Sequence, residues 1–302
     1  MPLLTIFTAP KPFTDPRIDV IQRNAIRSWL SLGAEARVIL VGDEAGMSAV
    51  ASEYGVTQLA GVACNEQGTP LVSSIFANAR QASDTPLLTY VNADILLLPD
   101  LLSAARDVSR QIEDFLVIGQ RWDLDITQLL DFSEGWEERL VAEVKMRGRL
   151  HPPAGSDYFL FPRHLFSDIP DFAIGRAGWD NWMIYHARQQ KWPVIDATPA
   201  IRIIHQNHNY SHLPGGKPHY NHPESFQNEA LAGGATSLFM VLDSDRQLVD
   251  GRIRSPRPSL PRLLRRIELL FTPPGTIRQG WRWFMARRLR RLRRRIAQSE
   301  ER

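Results

Sequence analysis

Residues 87–99 read Leu-Leu-Thr-Tyr-Val-Asn-Ala-Asp-Ile-Leu-Leu-Leu-Pro, an almost wholly apolar run with Asn92 and Asp94 set into its middle. Such a run reads as a strand, Leu87–Leu98, covered on both faces. Strands covered on both faces belong to mostly parallel sheets with helices above and below. Burying the Asp94 carboxylate costs several kcal/mol unless a cation or hydrogen bonds offset it, and no Lys or Arg stands beside it in the chain. An Asn-x-Asp pair leaving a strand is a natural seat for a hard divalent ion with oxygen ligands. A strand end closed by Asx hydrogen bonds is the alternative, and both readings stay open on this segment alone.

The segments around the run carry the same message. Leu3–Thr8, Arg37–Val41 and Val56–Ala63 have strand character. Ile18–Leu32, Gly46–Tyr54 and Leu71–Ala82 have helical spacing, with Gly33 and Gly55 at the usual stop positions. This β-α-β-α-β-α-β rhythm specifies an α/β fold, Rossmann-like, with a mostly parallel central sheet and flanking helices. Ligands of such sheets sit beyond the carboxyl ends of the strands, where Thr8–Lys11, Asp43 and Asn92–Asp94 fall. Further on, Phe115–Gln120, Gly155–Phe161, Val194–Ala197 and Ile201–His205 read as strands and Trp179–Arg188 as a helix. Residues 206–234 are polar and rich in His, Asn and Gly, and a loop of that length is usually functional.

Charge divides the chain in two. Residues 1–251 hold 20 Lys and Arg against 30 Asp and Glu, whereas residues 252–302 hold 16 Arg against three Glu, leaving a net charge of +3. We therefore expect a main domain over 1–251 and a basic tail over 252–302 that meets an anionic partner. Cys64 is the only cysteine. No intrachain disulfide or thiolate zinc site can form, which favours a reducing, cytoplasmic setting. No signal peptide and no membrane-spanning run is evident.

Four separated elements carry chemistry. Asn92-Ala93-Asp94 is the first. Gly155-Ser156-Asp157-Tyr158 is a turn whose glycine admits close backbone approach. Gly178-Trp179-Asp180-Asn181-Trp182 puts a carboxylate at a helix start between two tryptophans. Ile203-Ile204-His205-Gln206-Asn207-His208 sends an imidazole out of an apolar strand. Each has a plainer reading: Asp180 as a helix cap, Gly155 as a turn glycine, His205 as a satisfied core histidine, Asp43 as a helix-start acid. Five of eight histidines fall between 205 and 222 without an acid or thiolate at tight spacing, which fits an acceptor-side lid better than a zinc site.

In their order along residues 3–210 these elements resemble the GT-A glycosyltransferases, particularly family-2-like members that use nucleotide-sugar donors. The resemblance implies that Asp94, as the last acid of a D-x-D-type motif, ligates Mn²⁺ or Mg²⁺ with His205. Asn92 departs from that motif's first acid. It further implies donor contacts from Thr8, Ala9, Pro10, Lys11, Asp43, Asn92, Ala93, Gly155, Ser156 and Trp179. Asp180 stands at the catalytic acid, a general base for an inverting transfer, and Trp182, His208 and Tyr210 fall on the acceptor side. The implied reaction moves a sugar from a nucleoside diphosphate to a glycan or lipid-linked hydroxyl, in the making of a surface polysaccharide. A nucleotidyltransferase and a non-catalytic scaffold of the same fold are the alternatives. Ala9-Pro10-Lys11-Pro12 is not the Gly-rich loop of the former, while Asn92 keeps the latter in play.

After Arg252 comes a proline-rich linker and then two amphipathic helices split by Pro273-Pro274-Gly275. Ile277, Trp281, Phe284, Met285, Leu289, Leu292 and Ile296 share an arc of about 140° on a helical wheel, with most arginines outside it. That pattern points to the anionic inner face of a membrane, with peripheral attachment; nucleic acid would not need the apolar stripe. Packing back on the acidic body is the plainer reading.

Overall fold

In the computed structural model, which describes residues 2–208, 222–276 and 279–300 (side chains to residue 296), the expected rhythm is present. It runs β1 (Leu4–Thr8), α1 (Pro16–Leu30), β2 (Ala36–Val41), α2 (Met47–Tyr54), β3 (Thr57–Leu59), α3 (Val72–Ala82) and β4 (Leu87–Val91). The first helix has a clear local cause. Asp15 accepts from the Arg17 and Ile18 N–H groups, and Pro16 occupies the first helical position.

The strand expected over 87–98 stops at Val91, and this is a correction with a local reason. Asn92-Ala93-Asp94 turns the chain: the Asn92 carbonyl accepts from Ile95 N–H (3.1 Å), and Asn92 N–H donates to the Asp157 carbonyl (2.9 Å). The chain resumes as β5 (Ile95–Leu96) in a different sheet.

The remaining elements are α4 (Asp100–Ser109), β6 (Leu116–Ile118), β7 (Arg121–Leu124), α5 (Trp136–Arg147), β8 (Arg149–Leu150), β9 (Tyr158–Pro162), α6 (Trp179–Gln189), β10 (Val194–Asp196), β11 (Ile203–Gln206), α7 (Pro223–Leu231), β12 (Arg246–Val249), β13 (Arg252–Arg254), α8 (Leu260–Phe271) and α9 (Gly280–Glu300). The main sheet has the order β13-β12-β10-β6-β9-β4-β1-β2-β3. Within it β9 runs antiparallel to β4 and β6, β13 antiparallel to β12, and the other pairs are parallel. This is the α/β arrangement expected, a mostly parallel central sheet with flanking helices, with C-terminal helices added. Arg252–Arg254, expected to open the tail, is instead the last strand of the sheet. No helix among the described residues is long and apolar enough to cross a membrane.

Alternation along the strands explains the continuous apolar runs. Leu4 and Ile6 of β1, Leu87 and Val91 of β4, and Leu160 of β9 join one buried cluster. Phe7, Leu88, Tyr90, Phe159 and Phe161 join the cluster on the opposite face. Both faces being covered, no polar face survives to mark a period of two.

A second sheet, β5-β11-β7-β8, stands beside the first. Helix α1 binds it to the body. The Trp29 indole N–H donates to the Ile95 carbonyl (2.9 Å), Ser28 Oγ accepts from Leu97 N–H (3.1 Å), and Asn24 Nδ2 donates to Gln206 Oε1 (3.0 Å). Trp29 is fully buried, so Trp29→Ala removes a large packed ring and orphans a carbonyl. We expect a loss of about 3–5 kcal/mol in urea unfolding.

Candidate active site

The small sheet lines up the charged side chains. Asp94 immediately precedes β5, and His205 on β11 is register partner to Ile95 on one side and Asp123 of β7 on the other. Asp123 in turn faces Arg149 of β8, and His151 follows two residues on, on the same side of the pleat. His205 Nε2 lies 3.6 Å and His208 Nε2 3.0 Å from the same Asp94 oxygen, Oδ2. His205 Nδ1 lies 3.2 Å from Asp123 Oδ1, and Asp123 Oδ2 meets His151 Nδ1 at 2.8 Å. Arg121 spans Asp123 and Asp157, each at 2.8 Å, and Asn92 Nδ2 donates to the same Asp157 oxygen at 2.9 Å.

Charge compensation is tight. Burial works to raise the Asp94 carboxyl, but His205 and His208 outweigh it and hold it well below the usual carboxylate range. Burial likewise works to lower His205, and Asp94 and Asp123 overcome it, carrying the imidazole up to about 9. Asp123, whose burial acts upward, is held far down by His151, His205 and Arg121.

The cluster fits a divalent ion. Donor atoms of Asp94, His205 and His208 all lie within 4.8 Å of one another. Asp94 Oδ1 is buried and has no hydrogen-bond partner among the described residues, which leaves one carboxylate oxygen free to coordinate. One carboxylate and two imidazoles suit Mn²⁺ better than Mg²⁺, which prefers oxygen and keeps its waters. His208, expected on the acceptor side, belongs to this group. Tyr210, the other residue expected there, lies outside the described residues.

Asp180 and Gly155 come together from distant parts of the chain. Gly178, with φ of 113°, gives α6 its abrupt start and sets Asp180 in the first turn. A Cβ on Gly155 would lie 2.1 Å from Asp180 Oδ2, so the absent side chain is what admits the carboxylate. Burial, with some help from the Asp157 charge, raises the Asp180 carboxyl to about 6 against the backbone N–H groups of Asn181 and Gly178. The Tyr90 hydroxyl is raised by burial and then by the charges of Asp94, Asp157 and Asp180. One phenol thus feels the metal-capable acid and the α6 acid together.

Other expected site residues have different surroundings. Trp179 and Trp182 are buried: Trp179 packs against Tyr90 (5.0 Å between centroids) and Phe159, and Trp182 against Phe172 and His186. Neither ring is open to stack on a sugar, which corrects that expectation. Ser156 is spent between the end of β6 and β9, its hydroxyl donating to the Tyr158 carbonyl and accepting from Gly119 N–H. Thr8 and Lys11 end up at the mouth of β1. Thr8 Oγ1 is buried without a partner among the described residues, and Lys11 lies within electrostatic reach of Asp94. Ala9 is half-buried, Pro10 buried, and Asp43 exposed at the end of β2. Ala93 lies in the turn between Asn92 and Asp94. Asp123, Arg121, His151 and Asp157 were not singled out in the sequence. Asp157 stood within the glycine turn, and the others carried no local signal.

No protein-family model matches this chain, and no curated protein matches it. Among solved structures, it is similar to glucosyl-3-phosphoglycerate synthase from Mycobacterium tuberculosis in complex with Mg²⁺ and UDP (14% identity over 85% of this chain and 88% of that one, TM-score 0.47). It is also similar to a proposed nucleotide-diphospho-sugar transferase from Desulfovibrio desulfuricans (11%, 98% of each chain, TM-score 0.40) and to part of Staphylococcus aureus TarS in complex with UDP-GlcNAc (13%, 44% and 39%, TM-score 0.32).

The donor set makes a quantitative expectation. In calorimetric titration with Mn²⁺, Asp94→Ala and His208→Ala should abolish binding. Asp123→Asn, which removes the charge orienting His205, should weaken it by about 10–100-fold.

Proposed function

We propose that this protein is a divalent-metal-assisted glycosyltransferase acting on a nucleoside-diphosphate sugar, with a glycan or lipid-linked hydroxyl as acceptor. The observation that carries the reading is the grouping of Asp94, His205 and His208 at the carboxyl end of β4, with the elevated Asp180 carboxyl in the same electrostatic neighbourhood. Ligands of parallel sheets bind at that end of the strands.

Asp94, His205 and His208 are the residues to hold Mn²⁺, or Mg²⁺ in its place. Bound there, the ion would offset the charge gained by the departing diphosphate. Thr8, Lys11 and Asp43, at the mouths of the first two strands, are placed to meet the nucleoside and its phosphates. Asp180 is the proposed base: ionised at neutral pH, it takes the proton of the acceptor hydroxyl as that oxygen bonds to the anomeric carbon and the bond to phosphate breaks. With the base opposite the leaving diphosphate, the configuration inverts. Gly155 is a positioning residue that leaves room for the Asp180 carboxylate. Burial of Trp179 and Trp182 keeps the α6 start rigid.

Three measurements test this. UDP- and GDP-sugars titrated with and without Mn²⁺ should show metal-dependent binding; absence of any nucleotide binding sinks the enzyme reading. Released nucleoside diphosphate, not pyrophosphate, should accompany turnover. Asp180→Asn should spare donor affinity and lower kcat by about 10²–10⁴-fold, and retained activity removes Asp180 as base.

The pH profile follows from the direction of the shift. A base must be deprotonated, so kcat should rise as pH climbs through about 6 and level off towards neutrality. Gly155→Ala should fold normally, displace Asp180, and lower kcat with little change in donor KM.

A further inference from the structure

The two C-terminal helices bury a charge cluster beside Leu264 and Ala286 and leave several large apolar groups exposed, an unusual arrangement for a helix pair in water. At their interface Glu268 of α8 is fully buried and is met by Arg265 (3.0 Å), Arg290 (2.7 Å) and Arg293 (3.4 Å). Arg265 and Arg262 also clamp α8 to the body through Asp243 (2.9 Å) and Asp196 (2.8 Å). This part of the tail therefore does pack back on the acidic body.

Several large apolar side chains are exposed instead. Leu270 is 77% exposed, Trp281 66%, Phe284 57% and Leu263 54%. Phe271 meets Trp281 edge-on (5.9 Å), joining the two helices on their outer side. Interleaved with them are exposed arginines: Arg266 on α8, and Arg287, Arg288, Arg291 and Arg295 on α9. The Arg288 guanidinium lies over the Phe284 ring at 5.0 Å. Between residues 252 and 299 Glu268 is the only acid, and it is buried, so no described carboxylate on α8 or α9 balances that outer face.

We propose that the outer face of the α8–α9 pair is a docking surface for an anionic lipid bilayer. Its complement must supply anions and an apolar layer in one plane. Phosphate headgroups over acyl chains do so: guanidinium forks take the phosphates, and tryptophan, phenylalanine and leucine side chains enter the boundary. A second copy would set two arginine-rich faces against each other, and nucleic acid offers no apolar layer. The proposal stands independently of the transfer reaction.

The test is sedimentation of the full-length protein with phosphatidylcholine vesicles, with and without roughly 30 mol% phosphatidylglycerol. We expect binding to the anionic vesicles only, with a blue shift of tryptophan emission. Because Leu270, Trp281 and Phe284 are exposed, the triple variant to serine should keep its circular dichroism and its Mn²⁺ affinity. It should lose anionic-vesicle binding by at least about tenfold. Equal sedimentation of variant and parent overturns the proposal, as does failure of the parent to bind. Concentration-dependent self-association that the triple variant abolishes, without vesicle binding, assigns the face to a second copy instead.

Discussion

The site depends on one buried charge. Taking the Asp94 carboxylate out of water is tolerable only because two imidazoles meet one of its oxygens. A proton on His205 then needs its own counter-charge, which Asp123 supplies, and Asp123 is in turn shared with Arg121 and His151. Acid and base alternate from His208 to Asp157, so removing one member takes a counter-charge from each of its half-buried neighbours. A divalent ion held by Asp94, His205 and His208 would take the place of the His205 proton as counter-charge to Asp94. Metal loading would therefore release the His205 proton and leave the site one charge more positive, ready to meet an anionic ligand.

That frame needs two sheets because one cannot supply it. The main sheet delivers strand ends, but its central strands are covered on both faces and have no free face for polar groups. Breaking the chain at Asn92–Asp94 lets Asp94 leave the apolar layer, and β11 then brings His205 alongside from more than a hundred residues away. Helix α1 sets the distance between the sheets through Trp29, Ser28 and Asn24, none of which touches the charged cluster. Precision at the site is thus borrowed from packing remote from it.

How much of this was legible follows from the range of each signal. The β-α alternation and the first four strands were readable because periodicity and glycine stops are local. The break at Asn92 was hidden, since the apolar run continues unchanged through Ile95–Leu98 into another sheet. Strands of two to four residues such as β5, β7 and β8 exist through pairing across the chain, and no window of sequence contains that information. Asp94 called for a partner because a buried carboxylate requires one, and the family resemblance pointed to His205. Asp123 could not, because Trp122-Asp123-Leu124-Asp125 looks like any half-exposed strand. Trp179 and Trp182 misled for a different reason: a large ring beside an acid looks the same whether it faces a sugar or the aromatic core around Tyr90 and Phe172.

The tail shows the same ambiguity resolved differently. Its wheel pattern, apolar on one arc with most arginines outside it, points to an anionic membrane face, with packing back on the acidic body as the plainer reading. The structure uses arginines of both helices to grip Glu268, Asp243 and Asp196, and leaves Trp281, Phe284 and Leu292 of the arc exposed. Replacing a buried ion cluster of this kind by apolar side chains often costs a protein nothing, so stability alone does not explain it. Orientation does. Arg262 ties α8 to Asp196 at the end of β10, a strand of the main sheet. A bilayer under the outer face would then hold the sheet, and the strand ends with Asp94 and Asp180, at a set angle to the lipid plane. A flexible tether would concentrate the protein at the surface but leave that angle free. An acceptor presented from the membrane would gain from the fixed one, because the entropy of orienting site and acceptor is then met when the protein docks.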